Sequence, residues 1–132
     1  MYEALLSPVD TSPRLLIIDD ENEITEMLQN FFRHRGYPHV MVTQTGAQAL
    51  AFAQEHTFDV VITDLSMQGM DGLALAKRLK ERVLTGHVML LTGWGHAPDA
   101  QGQLPDHVDQ LLAKPPRLSA LRWALGQVPR TR

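Results

Sequence analysis

The chain contains no cysteine in its 132 residues. Disulfides and thiolate metal sites are therefore excluded, and a reducing compartment is the natural expectation. No apolar stretch approaches the roughly 18 residues a membrane-spanning helix needs. The N-terminus also lacks the basic opening of a secretory signal. A cytoplasmic location without membrane insertion is expected on these grounds. Positive charge is in deficit, with 12 Lys and Arg against 15 Asp and Glu and a net charge of −3. This gives no electrostatic footprint for nucleic acid or an anionic membrane surface. The histidines, at 34, 39, 56, 87, 96 and 107, are scattered, and no pair has the close spacing of a helical zinc site. Each is read as a surface or packing residue.

The remaining composition suits one compact globular domain. Hydrophobic residues make up 44% and charged residues 20%, close to the average for soluble folds. The length is near the modal domain size and permits a real core.

Four short apolar runs end in groups that carry chemistry. Leu15-Leu16-Ile17-Ile18 ends in Asp19-Asp20, and Val60-Val61-Ile62-Thr63 ends in Asp64. Val88-Met89-Leu90-Leu91 ends in Thr92, and the run from Val108 to Ala113 ends in Lys114, followed by Pro115. Apolar runs bounded by polar residues read as strands buried on both faces of a parallel sheet. Parallel strands place all their C-terminal ends along one edge, where open α/β sheets bind ligands. Three carboxylates, one hydroxyl and one ammonium then meet in one crevice. That set suits a hard divalent cation beside a phosphoryl group.

Between these runs the pattern alternates. Residues 1–13 contain two prolines and two serines without a clean period and read as a linker or N-terminal extension. Strands are expected over 14–19, 39–43, 59–63, 87–91 and 108–112. Ile24, Met27, Leu28, Phe31 and Phe32 recur at helical spacing, so a first amphipathic helix should end before Gly36. A second helix over 46–55 should turn Ala47, Leu50, Ala51 and Ala53 inward. A loop over 65–70 precedes a third helix, capped by Asp71, with the stripe Leu73, Ala76, Leu79 and Val83. After Pro116, Leu118, Leu121 and Leu125 mark a last helix. The stretch between the fourth and fifth strands is rich in glycine and proline, so a helix there, roughly 98–103, must be short and weak. Domain bounds are thus 14–128, followed by a tail over 129–132. Five β units alternating with helices argue for a doubly wound parallel α/β sheet.

With these residues in place, the chain resembles the receiver domains of two-component response regulators over about residues 14–128. The acid pair Asp19-Asp20 follows strand one. Asp64 opens Asp64-Leu65-Ser66-Met67-Gln68-Gly69-Met70-Asp71-Gly72, close to the family's Asp-x-x-Met-Pro-x-Met-Asp-Gly. Thr92 ends strand four and Lys114-Pro115 ends strand five. The steps of 45 residues from Asp19 to Asp64 and 22 from Thr92 to Lys114 match those of the family. The resemblance implies a flavodoxin-like (βα)5 fold with strand order 2-1-3-4-5. It further implies Mg²⁺, or Mn²⁺, held by Asp20 directly, by Asp19 through water, by Asp64, and by the backbone carbonyl of Ser66. Asp64 would accept a phosphoryl group as an acyl phosphate. Lys114 would place its charge on that group, and the Thr92 hydroxyl and the Ser66 and Gly93 N–H groups would donate to its oxygens. The donor would be a phosphohistidine on a histidine kinase or histidine phosphotransfer protein. The chain would be a signalling switch that catalyses only its own phosphorylation and dephosphorylation. The family also tends to hold the Lys-Pro bond cis, so Lys114-Pro115 is expected cis and Pro115-Pro116 trans.

Each residue alone has a plainer reading. Asp19-Asp20 could cap the first helix, Asp64 could be a loop carboxylate, Thr92 a turn residue, and Lys114 a solvated lysine. Two departures from the family stand out. Gln68 takes the place of the usual proline, and Leu111 occupies the position, three before the lysine, where Tyr or Phe is common. Without that ring, output is expected to pass through the segment 94–104, beginning at Trp94, and its packing on strand five. Two other functional classes compete. One is a receiver-shaped interaction module that is never phosphorylated, against which Asp64, Thr92 and Lys114 argue. The other is a phosphatase of the haloacid-dehalogenase type, which needs a second Asp two residues after its nucleophile, where this chain has Ser66. The residues leave the cognate kinase, the oligomeric state and the choice between a stand-alone regulator and part of a larger protein, such as a hybrid sensor kinase, open.

Overall fold

The structure, a computed structural model, describes residues 13–67, 70–82, 87–93 and 106–128. The main sheet contains β1 (Arg14–Ile18), β2 (His39–Thr43), β3 (Val60–Asp64), β4 (His87–Thr92) and β5 (Gln110–Ala113). Every pairing is parallel and the spatial order is β2-β1-β3-β4-β5. The helices are α1 (Asn22–His34), α2 (Gly46–Glu55), α3 (Gly72–Arg82) and α4 (Leu118–Gly126). The expected strand order and doubly wound architecture are therefore observed. The weak helix expected near 98–103, Trp94, Val83, Gln68 and both terminal segments lie outside the described residues.

Alternation along the strands sorts the core into two layers. Leu16 and Ile18 of β1, Val61 of β3 and Val88 and Leu90 of β4 pack with Ala49, Leu50 and Ala53 of α2 and Leu75, Ala76 and Leu79 of α3. Leu15 and Ile17, Val60 and Ile62, and Met89 and Leu91 point the other way, onto Ile24, Leu28 and Phe32 of α1 and Leu121 and Ala124 of α4. Side chains two apart share a face, so a strand covered on both faces must be apolar throughout. This is why β1, β3 and β4 lack the polar alternation of a half-exposed strand. β2, at the edge, is half-buried over four of its five residues.

Phe32 shows how one residue ties α1 down. It is fully buried and stacks edge-on against Phe31 and Tyr37, with centroids at 5.2 and 5.5 Å. Phe32→Ala should cost about 3–5 kcal/mol, the usual penalty for emptying a buried aromatic site. Urea unfolding followed by circular dichroism would measure this, and a loss below 1 kcal/mol would mean that the site collapses freely.

Several local expectations need correction. Ala47 and Ala51 are exposed, and Gly46, Ala49, Leu50 and Ala53 form the buried side of α2. Alanine is too small and too frequent here to mark the phase of the helix. Leu73 is 40% and Leu118 48% exposed. The inward residues of α3 are instead Leu75, Ala76 and Leu79, and α4 buries Leu121 and Ala124. An exposed leucine costs little, so a leucine alone does not locate a core. The region expected as loop contains two two-residue strands, Ser66–Met67 and Met70–Asp71, paired antiparallel. Strand ends also shift. β1 stops at Ile18, β3 extends to Asp64 and β4 to Thr92, while β5 starts only at Gln110 and runs to Ala113.

Candidate functional site

The order of the strands reverses between β1 and β3, and the chemistry gathers there, at their C-terminal ends. Asp19 follows β1, Asp64 closes β3, Thr92 closes β4 and Lys114 follows β5. Leu91, the register partner of Asp64, directly precedes Thr92. The Thr92 carbonyl accepts the Lys114 N–H at 2.8 Å. Asp19, Asp64 and Thr92 are buried, at 0%, 6% and 5% exposure. Among the described residues the Lys114-Pro115 peptide is the one cis bond, as expected.

Lys114 is the hub. Its Nζ lies 2.9 Å from Asp19 Oδ2, 2.9 Å from Glu21 Oε1 and 3.1 Å from Asp64 Oδ2. It also donates to Asp19 Oδ1 at 3.2 Å. The lysine side chain is only 11% exposed, which rules out the solvated-lysine reading. Burial pushes its pKa down, but the three carboxylates outweigh that and hold it above the ordinary lysine range.

The reading of Asp19 as a helix cap is not borne out. Asp19 Oδ1 accepts the Glu21 N–H at 2.8 Å, just before α1 begins, and Glu21 itself caps the helix without a side-chain bond. The same carboxylate faces the lysine.

Glu21 is the site residue that the sequence reasoning missed. It stands one position beyond the acid pair, and a third consecutive acid where a strand meets a helix was the available signal. One carboxylate oxygen from each of Asp19, Asp20 and Glu21 lies within 4.8 Å of the other two. Asp19 Oδ2 is buried and makes no hydrogen bond of good geometry, although it feels the ammonium's charge. An oxygen in that state beside further carboxylates fits a hard divalent cation, which takes oxygen ligands and tolerates retained waters. Ser66 lies two residues beyond Asp64, in the short strand that pairs with Asp71. No histidine joins an acidic cluster among the described residues; His87 is buried and hydrogen-bonded to Gln110 at 2.8 Å. A pocket of about 330 Å³ beside Arg14, His39 and Phe58 sits at the N-terminal ends of β1 and β2, away from these groups.

Crowding leaves a signature on Asp19. Burial raises its pKa and repulsion from Asp64 adds to this, against the Glu21 N–H and Lys114, which lower it. A carboxyl that holds its proton more tightly when folded contributes stability below the ordinary value of 3.8. That contribution is lost as pH rises through the raised folded value. At neutral pH the ionised Asp19 therefore costs stability. Asp19→Asn should raise the melting temperature in EDTA by a few degrees, on the order of 1 kcal/mol. It should also flatten the loss of stability as pH rises through the raised Asp19 value. Thermal melts from pH 4 to pH 8 check this, and a lower melting temperature for the variant at pH 7 would contradict it.

Comparison with known proteins agrees with this geometry. The family model described as the response regulator receiver domain matches residues 15–125, and the chain belongs to that family. It is 36% identical over 110 residues to the transcriptional activator protein PfeR of Pseudomonas aeruginosa, covering 83% of this chain and 35% of PfeR. The chain thus spans about a third of the length of that relative. The chemotaxis response regulator CheY4 of Vibrio cholerae superposes with a TM-score of 0.77 at 28% identity, covering 89% of this chain and 99% of CheY4. The response regulator TrrA of Thermotoga maritima, solved in complex with Mg²⁺-BeF, gives 0.75 at 25% identity, with 89% and 99% covered. Among the described residues no helix is long and apolar enough to cross a membrane.

Proposed function

We propose that this receiver domain is a phosphoacceptor that works in phosphorelay signalling, with Asp64 as the acceptor. The observation that carries this reading is the Asp64 carboxylate, 8% exposed and 3.1 Å from the Lys114 ammonium, at the sheet edge shared with Asp19 and Thr92. A carboxylate oxygen of Asp64 attacks phosphorus, the P–N bond of a phosphohistidine breaks, and the imidazole leaves with its electron pair. Lys114 attracts the phosphoryl oxygens, and Thr92, at the end of β4, brings a hydroxyl donor to the same edge. Asp19, Asp20, Asp64 and the Ser66 carbonyl would hold Mg²⁺ or Mn²⁺, which offsets charge on the transferring group when bound. The donor is a histidine kinase or a histidine phosphotransfer protein. The chain turns over no separate substrate, because the phosphoryl group ends on Asp64 and then leaves to water. The Mg²⁺-BeF complex of TrrA supports this reading, since beryllofluoride mimics a phosphoryl group.

Incubation with phosphoramidate or acetyl phosphate and Mg²⁺ tests the proposal. Intact-mass spectrometry should show one acid-stable, base-labile adduct that EDTA prevents and Asp64→Ala abolishes. Equal labelling of Asp64→Ala would refute the assignment. No adduct on the unaltered chain would favour an interaction module that is never phosphorylated.

A further inference from the structure

We propose that Glu21 is a positioning residue that occupies the Lys114 ammonium in the resting protein and must release it before a phosphoryl oxygen can bind there. The inference rests on the reading of Asp64 as phosphoacceptor. An ammonium has three N–H donors and no acceptor. Lys114 meets three carboxylates at 2.9, 2.9 and 3.1 Å, so a phosphoryl oxygen can be received only if one of them leaves. The three differ in their freedom to do so. Asp19 is fully buried and fixed by the Glu21 N–H. Asp64 carries the incoming group. Glu21 is 59% exposed at its side chain, and no other hydrogen bond of that side chain appears among the described contacts.

The backbone of Glu21, by contrast, is anchored. Its N–H is held by Asp19 at 2.8 Å and its carbonyl accepts from Ile24 and Thr25 at 3.1 Å each. The side chain can therefore swing into water without disturbing α1. Its charge remains beside a helix N-terminus, which favours an acid whether or not the lysine is in contact. Glu21 thus competes with the phosphoryl group for one cation. An ion pair with one solvent-exposed partner is weak enough to be displaced and strong enough to be felt.

The test uses Glu21→Gln, with Glu23→Gln as its charge control. Glu23 lies in the first turn of α1, is exposed, and its removal changes net charge equally. At saturating Mg²⁺, Glu21→Gln should lower the half-saturating phosphoramidate concentration about threefold, the size expected for losing one competing ion pair whose acid is solvent-exposed. The saturating labelling rate should barely change. In the absence of any donor, Lys114 should react faster with an amine-acylating reagent, read by peptide mass spectrometry. Glu23→Gln should shift neither quantity. Equal effects of the two variants would overturn the inference, as would an unchanged half-saturation in Glu21→Gln. A tenfold loss of Mn²⁺ affinity by calorimetry, specific to Glu21→Gln, would also overturn it and make Glu21 a metal ligand instead. Failure of the unaltered chain to label at all would sink the phosphoacceptor reading and not this step alone.

Discussion

Lys114→Met should lose about 10²–10³-fold in phosphorylation rate, the usual cost of removing one preorganised charge donor from a transferring group. In EDTA it should also lose on the order of 3 kcal/mol of stability. The two losses have different causes and can be separated. Stability falls because Asp19 is fully buried and Lys114 supplies its cation at 2.9 Å. Removing one partner of a buried pair leaves an uncompensated charge, typically at a cost of about 3–5 kcal/mol. The low end applies here because Glu21, a third member of the cluster, is largely exposed. Methionine keeps the apolar stem, so packing is roughly preserved and the charge is what changes. Excess Mg²⁺ should then restore stability, since a ligand at 100 times its Kd contributes about 2.7 kcal/mol. It should not restore the rate, because the ammonium proposed to bind the phosphoryl group is still missing. Urea unfolding with EDTA or Mg²⁺, paired with phosphoramidate labelling, gives both readings. A variant as stable as the parent chain in EDTA would show that Lys114 does not hold the carboxylates together.

The ends of the strands were legible in the sequence because topology makes them converge. Once Leu15–Ile18, Val60–Thr63 and Val88–Leu91 are read as doubly buried parallel strands, Asp19, Asp64 and Thr92 must share an edge whatever the helices do. That inference needs no knowledge of side-chain packing. The helix faces were less legible for a physical reason. In α2, Ala47, Ala49, Ala51 and Ala53 carry almost no contrast, and only the sheet below selects 49 and 53 for burial. In α3 the leucine at 73 points outward and the leucine at 75 inward, a distinction set by where the helix begins. The short pairing of Ser66–Met67 with Met70–Asp71 involves two residues a side, too few for any periodicity to appear. Glu21 escaped notice because an exposed acid at a helix start, even the third in a row, has an ordinary helix-dipole explanation. Its distance to Lys114 depends on where β5 lies in space, which local sequence does not encode.

The close approach of α3 to the end of β3 supplies the second large effect. Gly72→Ala should cost roughly 3 kcal/mol and slow phosphorylation about 100-fold. Gly72 is buried at the first position of α3, and its N–H donates to the Leu65 carbonyl at 2.5 Å. A Cβ there would fall on the Asp64 carbonyl oxygen and come within 2.8 Å of Leu65 Cα and 2.9 Å of Leu65 O. All three are backbone atoms, so no rotamer change relieves the clash, and either α3 must lift or the end of β3 must bend. Overpacking of this kind typically costs about 1–3 kcal/mol, and backbone-on-backbone contact belongs at the upper end. Because Asp64 is itself one of the residues pushed, its carboxylate should leave the line set by Lys114 and Asp19. Misplacing a reacting group by about 1 Å can cost on the order of 10²-fold in rate. Gly93→Ala is the matched control, since among the described residues a Cβ at Gly93 meets nothing within 4 Å although the residue follows Thr92 directly. It should stay within about 0.5 kcal/mol of the parent, as surface substitutions usually do. Denaturation curves and labelling rates for the two variants decide the matter. If Gly72→Ala matches Gly93→Ala in both, the contact between α3 and the Asp64 backbone does not constrain the site.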